Sequence, residues 1–239
     1  MAAAGSGERL GAGGPKAFVP VAKRWMVEWS LDAFRASESV RSIVVACPPG
    51  HVHDLGGHDV GVVPGGATRS QSVANALEAV GTELVAIHDA ARPLVTPALI
   101  EGVVATLLAD PEAAGAIAAA PVTDTIKRAT PLRCSLSVDS TAKEQRKGGG
   151  AERLRIAGTL DRSQLWAAQT PQVFRADALR QALAASPDPD AATDEAMLLE
   201  AAGERVLIHP VAEPNPKVTT PPDLRLAELL LGERGAVSP

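Results

Sequence analysis

The sequence predicts an α/β fold: a mostly parallel, twisted sheet flanked by helices, with a β-arm protruding from it. Two observations predict the sheet. Continuous apolar runs of strand length, such as "SIVVACP" and "GAIAAAPV", alternate along the chain with stretches of helical periodicity. Each such run ends in glycine, proline or polar residues, as strands do where they leave a sheet covered on both faces. A third observation predicts the arm: between Lys127 and Asp161 two β-like flanks enclose a charged, glycine-rich middle.

The elements follow in order. "PVAKRWMVEWSLDAFRAS" predicts a helix with Val21, Trp25, Met26, Trp29 and Leu31 on one apolar stripe and its two tryptophans in the core. "SIVVACP" and "VGVVPGG" predict strands, and "RSQSVANALEAV" a helix. "ELVAIHDAARP" reads as a strand running into a loop. "TPALIEGVVATLLAD" reads as a helix capped by Thr96 with Pro97 in its first turn. After "GAIAAAPV" and the arm, the chain returns through "LWAAQTPQVF" to the helix "RADALRQALAAS". "TDEAMLLEAAG" predicts a helix with Thr193 as cap, "RVLIHPVAEP" a strand and turn, and "TTPPDLRLAELLLGE" a C-terminal helix entered through prolines. No internal repeat is apparent. All 239 residues fit a single domain, with the arm at about 127–162 as a subdomain.

Composition excludes several functions. A net charge of −5 and a pI near 5.6 argue against a nucleic-acid partner, whose binding needs a basic footprint. No apolar run approaches the roughly 20 residues that span a bilayer, and no basic-then-apolar leader opens the chain, so neither membrane insertion nor export is expected. Cys47 and Cys134 lack metal or redox spacing and suit a reducing cytoplasm.

The chemistry starts in "MAAAGSGERLGAGGPKAF". Glycines let backbone N–H groups approach a phosphate, and Arg9 and Lys16 neutralise its charge. The loop is not a Walker loop, because Lys16 stands between Pro15 and Ala17. Nor is it a dinucleotide fingerprint, because Leu10 takes the place of the third glycine. In parallel sheets ligands bind beyond the carboxyl ends of strands, which makes candidates of Gly65 through Ser72, His88 through Arg92, and Asp124 with Thr125. The basic residues Lys143, Arg146, Lys147, Arg153 and Arg155 alternate with Glu144 and Glu152, and the arm tip reads as a mobile, solvated face.

Seven segments in one order, "AAAGSGERLGAGGPKAF", "GGATRSQSV", "HDAARP", "APVTDTIKR", "DRSQLWAAQTPQVF", "TDEA" and "NPKVTTPPDL", are similar to those of 2-C-methyl-D-erythritol 4-phosphate cytidylyltransferases. The resemblance covers essentially the whole chain. It implies a Rossmann-like nucleotidyltransferase fold, Mg²⁺, a cytoplasmic homodimer joined through the arm, and transfer of a cytidylyl group from CTP to a small polyol phosphate. By the same resemblance Arg9, Lys16 and Lys217 are catalytic, and Ala3, Ala4, Gly5, Gly66, Ser72, Asp89 and Ala90 hold the nucleotide. Asp89, Arg92, Thr125, Arg162, Thr170 and Thr193 surround the polyol phosphate, with Arg162 reaching the partner subunit's site. No protein ligand for the metal is indicated. The chemistry agrees: a phosphate oxygen attacking an α-phosphorus brings two anions together, and fixed cations rather than a nucleophile or a histidine base are required.

The chain departs from the family pattern in three places. Only Met1 and Ala2 precede the Ala-Ala-Gly loop, where relatives carry an apolar strand, so a central strand is expected to be missing and the nucleotide loop loosened. Ala67 replaces an acidic residue often found after Gly66. The arm is lengthened around Ser140 to Ala151, at a tip whose deletion is expected to leave activity intact. Two other readings share the motifs: a cytidylyltransferase for another alditol phosphate such as ribitol 5-phosphate, and a catalytically silent nucleotide-binding module.

Overall fold

The computed structural model describes residues 1–5, 7–11, 13–48, 50, 51, 55, 59–132 and 153–237. The chain divides into two compact units: Met1–Ala120 with Ala168–Pro239, and Pro121–Ala167.

The first unit begins with a folded loop followed by a two-stranded ribbon, β1 (Pro20–Val21) and β2 (Arg24–Trp25), turned at Ala22 and Lys23, whose φ values of 49° and 67° lie in the left-handed region. The ribbon corrects the long helix read from sequence. Helix α1 (Met26–Arg35) starts only at Met26, because Glu28 accepts the Trp25 backbone N–H at 2.7 Å and closes the first turn. Trp25 and Trp29 are correspondingly half-buried rather than core, and Trp29 Nε1 donates to the Val21 carbonyl at 3.0 Å.

Strand and helix then alternate as expected: β3 (Ile43–Cys47), β4 (Val60–Pro64), α2 (Arg69–Glu78), β5 (Leu84–Ile87), α3 (Pro97–Leu108) and β6 (Gly115–Pro121). Thr96 caps α3 by accepting from Leu99 N at 3.2 Å. In the second unit β7 (Lys127–Pro131) pairs antiparallel with β8 (Leu154–Thr159), with a register shift at Arg128 and Ala129. The arm tip expected to be mobile, with Lys143, Arg146 and Lys147, lies outside the described residues.

The strand β9 (Trp166–Arg175) is long and pairs antiparallel with β5, an element the polar residues Gln169 and Gln172 conceal in the sequence. Helices α4 (Ala176–Ala185) and α5 (Glu195–Ala201), strand β10 (Val206–Pro210) and helix α6 (Pro221–Val237) complete the chain. The cap of α5 is Asp194, not Thr193: the Asp194 carboxylate accepts from Met197 N at 3.1 Å, while Thr193 is exposed one residue earlier.

The strands order as β10-β6-β9-β5 in one sheet and β3-β4 in another, with β3-β4 and β10-β6 parallel. What joins the two sheets is the start of the chain. Ala2 N donates to the His88 carbonyl at 2.8 Å and Ala90 N to the Ala2 carbonyl at 3.1 Å. On the other side Ala3 N donates to the Ala46 carbonyl at 3.0 Å and Ala46 N to the Met1 carbonyl at 3.0 Å. Three residues therefore do part of a central strand's work, which corrects the expectation that this strand is wholly absent. Alongside them an apolar cavity of about 350 Å³, lined by Met1, Phe34, Val44, Leu84 and Ile100 among others, separates β3 from β5.

Candidate functional site

A cavity of about 570 Å³ opens where β3, β4 and β5 end, at the carboxyl edge where an α/β sheet places its ligands. Its walls are Ala2 through Gly5, Gly7, Arg9, Lys16 and Ala17 from the N-terminal loop, Gly66 through Arg69 and Ser72 from the β4–α2 turn, Asp89 through Ala91 after β5, and Lys217 and Thr219.

The N-terminal loop folds back on itself. Lys16 N donates to the Gly5 carbonyl at 3.0 Å, and Leu10 N to the Gly7 carbonyl at 2.9 Å, while the Leu10 side chain is buried against Val19, Leu94 and Val218. Gly7 has φ +74°, and a Cβ there would lie 2.8 Å from the Gly14 carbonyl oxygen, so only glycine closes this loop without strain. The closure carries Arg9, which is exposed, and Lys16, which is half-buried, to the same cavity. Burial and then the neighbouring Lys217 ammonium lower the Lys16 pKa to about 8.

The β4–α2 turn approaches closely: Gly65 N donates to the Cys47 carbonyl at 2.7 Å, and a Cβ on Gly65 would meet the Ala4 Cβ at 2.3 Å. Ser72 is buried and ties the turn to the helix, its Oγ accepting from Gly66 N at 3.0 Å and donating to the Thr68 carbonyl at 2.8 Å. Ala67 N donates to Gln71 Oε1 at 3.0 Å, so this turn is organised by its own helix.

Asp89 is the cavity's electrostatic centre. Its Oδ1 accepts from Arg69 Nε at 3.0 Å and its Oδ2 from Lys217 Nζ at 2.6 Å. Burial alone would raise its pKa; Arg69 and then Lys217 overcome this and hold the carboxyl far below the usual carboxylate range. Lys217 is brought there because its segment is pinned to the loop after β5. Val218 N donates to the Ala91 carbonyl at 2.8 Å, and Arg92 Nη1 donates to the Asn215 carbonyl at 2.7 Å.

Arg9, Lys16, Lys217, Ala3, Ala4, Gly5, Gly66, Ser72, Asp89 and Ala90 thus line one cavity. Arg92 and Thr170 do not line it; both are buried beside it, Thr170 Oγ1 accepting from Asp89 N at 3.1 Å. Thr193 is exposed near Asp194. Thr125 and Arg162 belong to the second unit, where both are exposed and Arg162 donates to the Thr123 carbonyl. His88, in the middle of "HDAARP", is fully buried between Thr170 Oγ1 at 3.1 Å and the Arg92 carbonyl at 3.3 Å, and burial lowers its pKa to about 3. It is therefore neutral, and both its ring nitrogens have partners within the fold.

Two residues of the site received no role of their own from the sequence, although Arg69 falls in the candidate span Gly65 through Ser72 and Glu195 in the segment "TDEA". Arg69 donates to both Asp89 and Glu195, the latter at 2.6 Å, and Glu195 is 1% exposed. Arg69 sits at the first position of α2, where the helix dipole opposes a cation, and that misplaced charge is the signal that an anion had to be near.

The family model for IspD, 2-C-methyl-D-erythritol 4-phosphate cytidylyltransferase, matches residues 1–148 and 135–233. The chain is 42% identical over 234 residues to the 2-C-methyl-D-erythritol 4-phosphate cytidylyltransferase of Frankia casuarinae, covering 96% of this chain and 79% of that one. It is 39% identical over 246 residues to the bifunctional enzyme IspD/IspF of Anaeromyxobacter dehalogenans, covering 97% of this chain but only 56% of that longer protein. Among solved structures, 2-C-methyl-D-erythritol 4-phosphate cytidylyltransferase from Thermus thermophilus superposes with a TM-score of 0.70 at 33% identity, over 93% of this chain and 96% of that one.

Proposed function

The chain belongs to the 2-C-methyl-D-erythritol 4-phosphate cytidylyltransferase family, and from that premise we propose that its cavity joins CTP to 2-C-methyl-D-erythritol 4-phosphate. The products are 4-diphosphocytidyl-2-C-methyl-D-erythritol, on the non-mevalonate route to isoprenoid precursors, and pyrophosphate. The observation that carries the reading is the convergence of Arg9, Lys16 and Lys217 on one cavity beside the glycine loop.

In the reaction an oxygen of the acceptor phosphate forms a bond to the α-phosphorus of CTP, and the bond from that phosphorus to the bridging oxygen of the β-phosphate breaks. The oxygen carries its electrons away with pyrophosphate. The attacking phosphate is already an anion at neutral pH, so no base is needed; the barrier is the approach of two anions and the charge that builds on the leaving oxygen. Arg9 and Lys16 draw the triphosphate onto the loop, and the ammonium of Lys217, which lines the same cavity, steadies the incoming phosphate. Gly66 and Ser72 hold the turn against which the base rests, and Asp89 accepts hydrogen bonds from hydroxyls of the ribose or the polyol.

Mg²⁺ fits this site as a companion of the triphosphate. Among the described residues no group of three or more His, Cys, Asp or Glu side chains is placed to hold a metal, and Asp89 is the one carboxylate lining the cavity. Both oxygens of that carboxylate are taken by Arg69 and Lys217, so the donor set suits an ion held by substrate phosphates and water, which Mg²⁺ accepts. Bound there, it supplies further positive charge to the phosphates. The reading extends to a cytoplasmic homodimer. Its support is the strand pair of the second unit, where Leu154 and Ile156, on one face of β8, are 63% and 65% exposed. No helix among the described residues is long and apolar enough to cross a membrane.

The test is pyrophosphate release measured with CTP, ATP, GTP and UTP, each with 2-C-methyl-D-erythritol 4-phosphate or ribitol 5-phosphate, with and without Mg²⁺. Release confined to CTP, the methylerythritol acceptor and Mg²⁺ is expected. Turnover with ribitol 5-phosphate instead reassigns the acceptor, and CTP binding with no release from any pair leaves only a nucleotide-binding module.

A further inference from the structure

Asp89 holds two cations at once, and only one of them is bonded to a second carboxylate among the described residues. Lys217 reaches Oδ2 from a loop segment, with 42% of its side chain exposed to the cavity. Arg69 reaches Oδ1 from the first turn of α2, with its other arm on Glu195 Oε1 at 2.6 Å. The remaining carboxylate oxygen of Glu195, Oε2, is buried without a partner, and burial pushes the Glu195 pKa up against the pull of Arg69. A carboxylate kept in such a place, on the first residue of α5, fixes the guanidinium and does little else.

When a substrate phosphate enters, the Lys217 ammonium has a doubly charged partner to choose over one carboxylate oxygen. If it swings to the phosphate, Asp89, 7% exposed, would be left buried with an unsupported charge unless a second cation remained. We propose that Arg69, clamped by Glu195, is the positioning residue that keeps the Asp89 carboxylate ionised and aimed while Lys217 transfers to the substrate phosphate. Oδ2 is then open to accept a substrate hydroxyl. The inference rests on the cytidylyl-transfer reading and adds to it the handover of Lys217.

The test is a double-mutant cycle in kcat and KM for both substrates, with melting temperatures measured in parallel. Arg69→Met keeps the aliphatic stem and removes the charge; alone it lowers kcat/KM by about 30- to 100-fold, the scale of a hydrogen bond to a charged group. In the Asp89→Asn background, where no charge needs support, the same change costs less than about 3-fold. Arg69→Lys recovers little, since one ammonium does not span two carboxylates as the guanidinium does. An equal loss in both backgrounds, or wild-type kinetics in a folded Arg69→Met protein, overturns the proposal. Should Arg69→Met fail to fold, Glu195→Gln carries the test, with a smaller loss that likewise vanishes in the Asp89→Asn background; equal losses there overturn it. If the wild-type protein turns over no substrate pair, the reaction reading fails on its own. Carbon-13 NMR titration of the Asp89 carboxyl then decides the proposal: its midpoint rises by about one pH unit or more in Arg69→Met or Glu195→Gln, and an unmoved midpoint overturns it.

Discussion

The two walls of the cavity are built in opposite ways. The N-terminal loop makes its anion site from backbone and exposed or half-exposed cations: Gly7 bends it, Gly5 O and Gly7 O close it, and Arg9 and Lys16 face the cavity with no carboxylate bonded to either among the described residues. The corner around Asp89 is a part-buried network in which Arg69 and Lys217 bond the carboxylate and Glu195 bonds Arg69 from behind. On the proposed reading, the wall that receives the triphosphate leaves its cations uncommitted. A site meant to orient a hydroxyl acceptor fixes its carboxylate from behind. Removing a group from the first wall should cost charge at the reacting phosphates, and loosening the second should cost alignment.

The largest effect expected from breaking the contrast is at Lys16. Lys16→Met removes an ammonium from the cavity lining and should lower kcat/KM by about 100- to 1,000-fold, the range for losing one preorganised charge donor. Steady-state pyrophosphate release checks it. Next is the loop's shape: Gly7→Ala forces a Cβ against the Gly14 carbonyl at a φ of +74°. Strain of about 1–3 kcal/mol in that loop should raise KM for CTP by about 10-fold or more while leaving the melting temperature of the rest nearly unchanged.

The contrast also has a pH signature. The lowered Lys16 pKa of about 8 means that the free protein loses this charge as pH rises through about 8, so kcat/KM for CTP falls above it. Bound triphosphate favours the ammonium and moves the same limb of kcat to higher pH. The stability sign is opposite: an unfolded lysine holds its proton up to its ordinary 10.5, so the folded state carries the cost of charging Lys16 below about 8 and sheds it between about 8 and 10.5. Superimposable kcat and kcat/KM profiles would remove Lys16 from the phosphate site. The smallest effect is at the base-side turn, where Ser72→Ala leaves Gly66 N without its acceptor and should raise KM for CTP by about 3- to 5-fold, roughly 1 kcal/mol.

The same contrast explains what the sequence made legible. The phosphate wall is local: glycines and two basic residues within a dozen positions announce themselves, and the α/β order of β3 through β6 follows from apolar runs that need no partner to be recognised. The Asp89 corner joins residues from positions 69, 89, 195 and 217, and only tertiary contact reveals that Arg69 and Glu195 serve Asp89. The ribbon at Pro20–Trp25 was hidden for a related reason, since left-handed backbone at Ala22 and Lys23 is not written in a glycine or asparagine there. The antiparallel β9 was hidden by its glutamines: Gln172 is buried and bonds Asp194 Oδ2 at 2.8 Å, a partner 22 residues away. Thr193 is the cap expected of α5, but the helix takes the carboxylate of Asp194, one residue later.

The measurement that tests cytidylyl transfer in this cavity most directly uses 2-C-methyl-D-erythritol 4-phosphate labelled with oxygen-18 in its phosphate, turned over with CTP and followed by phosphorus-31 NMR. Direct attack of the acceptor phosphate on the α-phosphorus predicts label in the bridge and on the acceptor-derived phosphorus of the product, with none in pyrophosphate. Label in pyrophosphate, or a bridging oxygen that comes from CTP, would contradict the account.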